Sequence, residues 1–195
     1  EEVLRTSFED TLREALAALS EKERQILGLR FGLEDDKPRT LREIGDLIGS
    51  DVKFDTTDNM FHVYTHFVTL LQQAAYIHGI SSVMSPQVAD VLAERVIAGV
   101  PVELIVSRNV ASGLKQEPFA SKIQQLRPYG NFHIWITDEP LHLGITVTDK
   151  HLSLGLNSRA NSVYDSSADL YSGDPKARDW AERLFRYYRN RSVPM

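Results

Sequence analysis

The sequence contains no cysteine, so it has no disulfide framework and no thiolate metal site, and its stability must come from packing and hydrogen bonding. It also has no apolar run near the roughly 18 to 20 residues of a membrane span, and no basic leader running into a short apolar stretch. These absences give the expectation of a cytosolic chain with no membrane partner. A surplus of positive charge is missing too. With 22 basic and 27 acidic side chains the net charge is −5, which argues against a uniformly basic nucleic-acid surface. Residues 1–50 hold 8 basic and 12 acidic side chains, leaving 14 and 15 for the rest, so neither part reads as a strong phosphate binder. What is present is ordinary globular material: 195 residues, 42% of them hydrophobic, enough for one sizeable core plus a small helical appendage.

The first fifty residues carry three helix-start signals, Ser7/Asp10, Ser20/Glu23 and Thr40/Glu43, in which a hydroxyl cap is followed three residues later by an acid. Apolar stripes follow each: Leu12, Ala15, Leu16 and Leu19; Ile26, Leu27 and Leu29; Ile44, Leu47 and Ile48. Gly32 and Gly49 stand where helix ends favour a left-handed residue. Three short helices are expected, with 34–39 as a polar loop.

The run "LREALAALSEKERQILGLRFGLEDDKPRTLREIGDLIG" resembles the start of region four of bacterial primary sigma factors. That resemblance implies that the helix at 40–48 is the first half of a helix-turn-helix whose second helix enters the major groove. Here "DVKFDTTDNMF" follows instead, with one lysine and no arginine-rich helix, so base readout of that kind is expected to be lost. Arg39, Thr40 and Arg42 remain as candidate DNA-binding residues, because they surround a helix N-terminus whose amides favour phosphate. Solvated helix-end charges are the competing account. The apolar groove of the first two helices offers RNA polymerase as a partner, or simply packs on the rest of the chain. Gly49-Ser50 marks the expected boundary between a helical segment, 1–50, and a second domain, 51–195.

In that second domain Phe61, Tyr64, Val68, Leu71 and Ala75 recur at helical spacing. A strand over "YIHGISSVM" then leads to Ser85-Pro86, a cap and first helical residue, and to a helix through Val88, Val91, Leu92 and Ile97 that Gly99 ends. Val102–Val106 reads as a buried strand, which makes a parallel crossover unit. Two weaker helices are expected within 110–127, followed by half-buried strands at 132–136, 143–147 and 151–156, the last two joined by a tight turn at Asp149-Lys150. Asp174-Pro175 opens a final helix. Its inward face would be Trp180, Ala181, Leu184, Phe185 and Tyr188, with Arg178, Arg183, Arg186, Arg189 and Arg191 outside.

The segments "ISSVMSPQVADVLAERVIAGVPVELIVS", "WITDEPLHLGITVTDKHLSLGL" and "VYDSSADLYSGDPKARDWAERLFRYYR" resemble the FilR-type family of archaeal methanogenesis regulators. The resemblance implies a regulatory or dimerising domain that, in the family, stands behind a winged helix. Here the sigma-like piece occupies that place. A homodimer and a small-molecule effector are the implied partners.

His142-x-Gly144-x-x-x-x-Asp149, with Gly155 and Asn157 after it, resembles the phospholipase-D-type pattern H-x-K-x-x-x-x-D. In that pattern histidine is the phosphoryl nucleophile and lysine steadies the transferred phosphate. Gly144 takes the lysine's place, and losing one such electrostatic partner costs about a hundred- to thousandfold in rate. The expected fold class is therefore α/β, a mixed, phospholipase-D-like, catalytically degenerate sheet preceded by a small all-α segment. It is expected to be non-enzymatic and without a cofactor.

His142, Asp149, Asn157, Asp165 and Ser166 are the candidate ligand-binding residues, the last two within a polar cluster with Ser167 and Asp169 that reads as a loop after the sheet or as a turn and helix cap. His62 and His66, four apart on one helical face, have metal-sharing spacing but no evident third ligand. Asp138 and Glu139 form an acidic turn before Pro140, and Tyr129, Phe132, Trp135 and Tyr164 are either a pocket lining or core.

Overall fold

The computed structural model describes residues 37, 39, 52–54, 61–141, 143–156 and 168–195. The chain divides into two compact units, 1–52 and 53–195. The helices expected within the first fifty residues lie outside the described residues.

The second unit is built from β1 (Val52–Phe54, crossing the division), α1 (His62–Gln72), β2 (Ile77–Ser81), α2 (Pro86–Ile97), β3 (Val102–Ser107), α3 (Arg108–Leu114), α4 (Phe119–Leu126), β4 (Phe132–Thr137), β5 (Leu143–Thr148), β6 (Leu152–Leu156), β7 (Ala168–Ser172), α5 (Pro175–Arg189) and β8 (Val193–Pro194). The strands form one sheet in the order β1-β7-β6-β5-β2-β3-β4-β8. β2, β3 and β4 run parallel, joined by α2 and then by α3 and α4, as the crossover pattern requires. β5, β6 and β7 form an antiparallel meander attached to the other side of β2.

Local chemistry sets the boundaries. Ser85 caps α2, its Oγ accepting from the Val88 amide at 3.2 Å, and Pro86 occupies the first turn, where its missing N–H costs nothing. At the other end Gly99, at φ 87°, lets its own amide and that of Val100 bond back to Val96 and Arg95, so the last carbonyls of the helix are satisfied. Asp174 caps α5 by accepting from the Lys176 amide at 2.8 Å. At the β5–β6 hairpin the Thr148 amide bonds the His151 carbonyl at 2.9 Å, leaving Asp149 and Lys150 as a two-residue connection.

Side chains alternate across the sheet with period two. One face carries Ile77, Val102, Leu104 and Val106, which join Leu70, Leu71, Leu92, Ala93, Val96, Ala111 and Leu126 of the four helices in the main core. The opposite face carries His78, Glu103 and Trp135, all of which meet α5. β3 is covered on both sides, hence its nearly unbroken apolar run.

Two expectations about faces are corrected. On α1 the buried row is Val63, Leu70 and Leu71, while Phe61 and Tyr64 of the expected stripe are exposed, because that side of the helix borders an opening rather than the core. On α5 two of the arginines expected outside turn toward the sheet. Arg178 donates to the Asp149 carbonyl, and the Arg189 guanidinium lies 3.0 Å from the Trp135 ring centroid while bonding Glu103 at 3.3 Å.

Candidate functional site

The opening beside α1 is a cavity of about 580 Å³ on the helix-covered face of the sheet. That size lies within the range of about 300–1,000 Å³ usual for small-molecule sites. Its floor is where β2, β5, β6 and β7 turn small or polar residues to this face: Gly79, Gly144, Thr146, Ser153 and Asp169. The register places them side by side, Gly79 opposite Thr146 and Thr146 opposite Ser153. The apolar residues of β5 and β6, Ile145, Val147, Leu152 and Leu154, alternate to the other side, where they are buried. The cavity exists because this stretch of sheet spends its bulk on one face only. A Cβ on Gly79 would approach the Leu104 side chain to 3.0 Å, so the floor is also closely packed from beside β3.

The walls are Phe61 just before α1, Val63, Tyr64 and Phe67 of α1, and Val83, Met84 and Val88 around the start of α2, where Ser81, Ser85 and Gln87 add polar groups. Phe61, Tyr64 and Val83 are exposed and form an apolar rim. At the floor Asp169 is only 3% exposed. One of its carboxylate oxygens accepts from Ser153 Oγ at 2.8 Å and from the Tyr171 hydroxyl at 3.2 Å. That hydroxyl also lies 3.3 Å from the Val63 carbonyl, so its single proton is shared between strand and helix. The carboxylate is thereby held in place from β6, β7 and α1.

The other sheet face holds a second cluster of ionisable groups. His78 stacks on Phe185, with ring centroids 4.5 Å apart, and bonds Glu182 at 3.0 Å. Burial works to raise the Glu182 carboxyl, but the hydrogen bond and charge of His78, with help from Tyr76 and Arg186, leave it below the usual carboxylate range. Burial, and then the negative charge of Glu182, push Tyr76 up to about 12.

Of the residues singled out in the sequence, Asp149 lies in the β5–β6 turn, where its side chain accepts from the Ala75 amide at 2.7 Å and ties the hairpin to the end of α1. Arg39 donates to the Lys37 carbonyl. Thr40, Arg42, His142, Asn157, Asp165, Ser166 and Tyr164 lie outside the described residues. Asp138 forms a two-pronged pair with Arg108 at 2.6 and 2.7 Å, and Glu139 meets Arg191 at 3.5 Å. Trp135 and Phe132 fall on opposite faces of the sheet and Tyr129 is exposed, so these three do not line one pocket.

The His62 and His66 rings lie 6.5 Å apart, and the His66 ring meets Tyr171 edge-on at 4.4 Å. Among the described residues no three metal-ligating side chains converge. Asp169, expected in a loop or in a turn and helix cap, stands instead in strand β7, with its neighbours Leu170 and Tyr171 buried on the two faces of the sheet. The alternation that marks 143–147 and 151–156 as half-buried strands also places every small or polar residue of L-G-I-T-V-T and L-S-L-G-L on the same side, and that side is the cavity floor.

Residues 60–191 match the family described as Methanogenesis regulatory protein FilR1, middle domain. The chain belongs to this FilR1 middle-domain family. Residues 15–50 match Sigma-70, region 4. The methanogenesis regulatory protein FilR1 of Methanothrix harundinacea (strain 6Ac) is 25% identical over 168 residues, 84% of this chain and 37% of that protein, so the chain spans little more than a third of this relative's length.

Among solved structures, the archaeal chromatin protein TrmBL2 superposes with a TM-score of 0.58 at 16% identity, covering 100% of this chain and 69% of that one. Nuc of Salmonella typhimurium, a phospholipase D family member, superposes with a TM-score of 0.55 at 13% identity, covering 74% of this chain and 96% of Nuc. The FilR1 middle-domain fold seen here is thus phospholipase-D-like, an α/β architecture with a mixed sheet. The glycine in the lysine position of the phospholipase-D-type pattern, Gly144, lies on the cavity floor.

Proposed function

We infer that residues 51–195 are the effector-binding, non-enzymatic regulatory domain of a transcription regulator, and that a small molecule occupies the cavity beneath α1. The observation that carries this reading is the floor at Gly144: in a FilR1-family chain, the place of a phosphate-steadying cation is open space under mostly apolar walls. The regulatory name of the FilR1 relative and the DNA binding of the chromatin protein TrmBL2 support the reading. The remaining candidates, His142, Asn157, Asp165 and Ser166, belong to this reading as further ligand contacts, and the domain pairs with a second copy. The whole acts on DNA in the cytoplasm.

A thermal-shift screen with metabolites and nucleotides tests the effector, since a ligand that binds only the folded chain raises its melting temperature by mass action. At least one compound is expected to stabilise the protein, while hydrolysis of a phosphodiester reporter stays at the buffer rate. Turnover that His142→Ala abolishes would overturn the non-enzymatic reading.

The sigma-70 region 4 match over residues 15–50 favours a second reading, in which that segment engages RNA polymerase while Arg39, Thr40 and Arg42 touch DNA phosphates without reading bases. Capture of the full chain on the polymerase β flap, lost when residues 1–50 are removed, is the expected result; capture that survives the removal sinks it.

A further inference from the structure

In this cavity an aromatic wall meets a floor stripped of side chains. Phe61, Tyr64 and Phe67 recur every third residue along α1 and the position before it, so helical geometry brings them to one side. Phe61 is 67% and Tyr64 39% exposed, which leaves two ring surfaces in water that a ligand would displace. Beneath α1 the floor includes the bare backbone of β2 at Gly79 and of β5 at Gly144. Glycine inside a strand forfeits packing, and it marks places where a backbone is approached closely. The Leu104 side chain stands 3.0 Å from where a Cβ on Gly79 would be, so a neighbour accounts for that glycine. Gly144 differs, because its register partner is Gly155 and the two strands give up a cross-strand side-chain contact altogether on the cavity's face. On such a surface a planar ring keeps contact distance over its whole area, whereas a puckered one touches at a few atoms.

The polar groups of the lining set a second condition. The hydroxyls of Ser81, Ser85, Thr146 and Ser153 and the Gln87 amide each donate and accept, so they fit hydroxyl, carbonyl or amide substituents. Asp169 is held in its own network with Ser153 and Tyr171, and the ligand class does not turn on its charge.

We propose that the effector is a planar aromatic molecule bearing hydroxyl, carbonyl or amide substituents, its ring laid between the α1 aromatics and the bare backbone at Gly144. The proposal rests on the effector-domain reading above and names its ligand class. Gly144 is then the residue that sets specificity: where the phospholipase-D-type pattern puts a cation, the glycine admits a ring.

Calorimetric titration of the full chain at pH 7 with 2-naphthol and decahydro-2-naphthol tests this, because the two share a carbon skeleton and a hydroxyl and differ in planarity and aromaticity. Apolar area alone favours the saturated compound, which is the bulkier. The aromatic compound is nevertheless expected to bind at least about threefold more tightly, the scale of one aromatic pair. Gly144→Val, which puts a branched side chain on the floor, should weaken 2-naphthol at least about tenfold while the far-ultraviolet circular dichroism is retained. Because Gly144 lies within the sheet, Phe61→Leu combined with Tyr64→Leu supplies a second variant at exposed positions. It keeps apolar area and removes the rings, so the preference for 2-naphthol should shrink to within about 1.5-fold. If Gly144→Val unfolds, this double variant decides alone.

A saturated probe that binds as tightly as 2-naphthol would overturn the aromatic class and leave the effector reading intact. A preference unmoved in the double variant, or binding untouched by Gly144→Val, would overturn the location. Should neither probe bind, the metabolite screen decides. An aromatic stabiliser weakened by either variant sustains the proposal, aliphatic stabilisers alone overturn it with the effector reading intact, and no stabiliser at all overturns both.

Discussion

The two faces of this sheet are made by the same strands yet have opposite characters. Under α5 the residues are large and fully engaged, with His78 stacked on Phe185, Arg189 laid over Trp135, and Ile105, Ile145 and Val147 at most 2% exposed. On the other face the half beneath α2, α3 and α4 is equally dense, but over β5, β6 and β7 it thins to Gly144, Thr146, Ser153 and Asp169. A strand therefore encodes two surfaces independently, and one can be dedicated to holding the fold while the other is left available for a ligand.

The contrast predicts a graded set of mutational costs. Phe185→Ala, on the sealed face, should cost about 3–5 kcal/mol in urea denaturation, since it removes a fully buried ring and leaves a void. A loss under about 1 kcal/mol would mean that α5 is not a structural lid. Asp169→Ala should cost about 1–3 kcal/mol, because the buried hydroxyls of Ser153 and Tyr171 lose a shared acceptor. An unchanged urea midpoint would show that the carboxylate is not part of the packed network.

Glu182→Gln should cost about 1 kcal/mol at pH 7. Its carboxyl is held below its ordinary 4.5, so its contribution is present above that value and fades as pH falls through the folded-state titration. The variant and parent curves should therefore converge once the pH has fallen below the lowered folded-state titration of Glu182, and a difference that persists in the acid-titrated protein would rule out the His78 pair as its source. Thr146→Val, on the open floor, should move stability by less than about 0.5 kcal/mol, since its side chain borders the cavity rather than the packed core. A large loss would make the cavity as structural as the sealed face.

Much of this architecture is legible in the sequence where backbone chemistry punctuates it. Ser85-Pro86 and Gly99 mark α2 at both ends, and the apolar run of β3 announces a strand covered on both sides. Asp174-Pro175 does the same for α5. The site is harder to read for a physical reason. Asp169 is a turn-favouring residue in a polar neighbourhood, and among the partners that make its burial tolerable are Ser153, sixteen positions back, and a tyrosine that also reaches α1.

Asp149 illustrates the converse. A motif resemblance draws attention to it, and in the fold its carboxylate secures the Ala75 amide. On α1 the aromatic spacing points to core, because nothing in a single sequence separates a residue facing the interior from one facing an opening in it.

The last strand, β8, is two residues long, includes Pro194, and pairs with Trp135 and Ile136 of β4 while the Met195 amide reaches the Ile134 carbonyl at 3.0 Å. Pro194 interrupts this border, since proline offers no amide to an incoming chain. An extended segment laid along β8 would therefore find a missing donor at Pro194, which disfavours unbroken backbone pairing through that position.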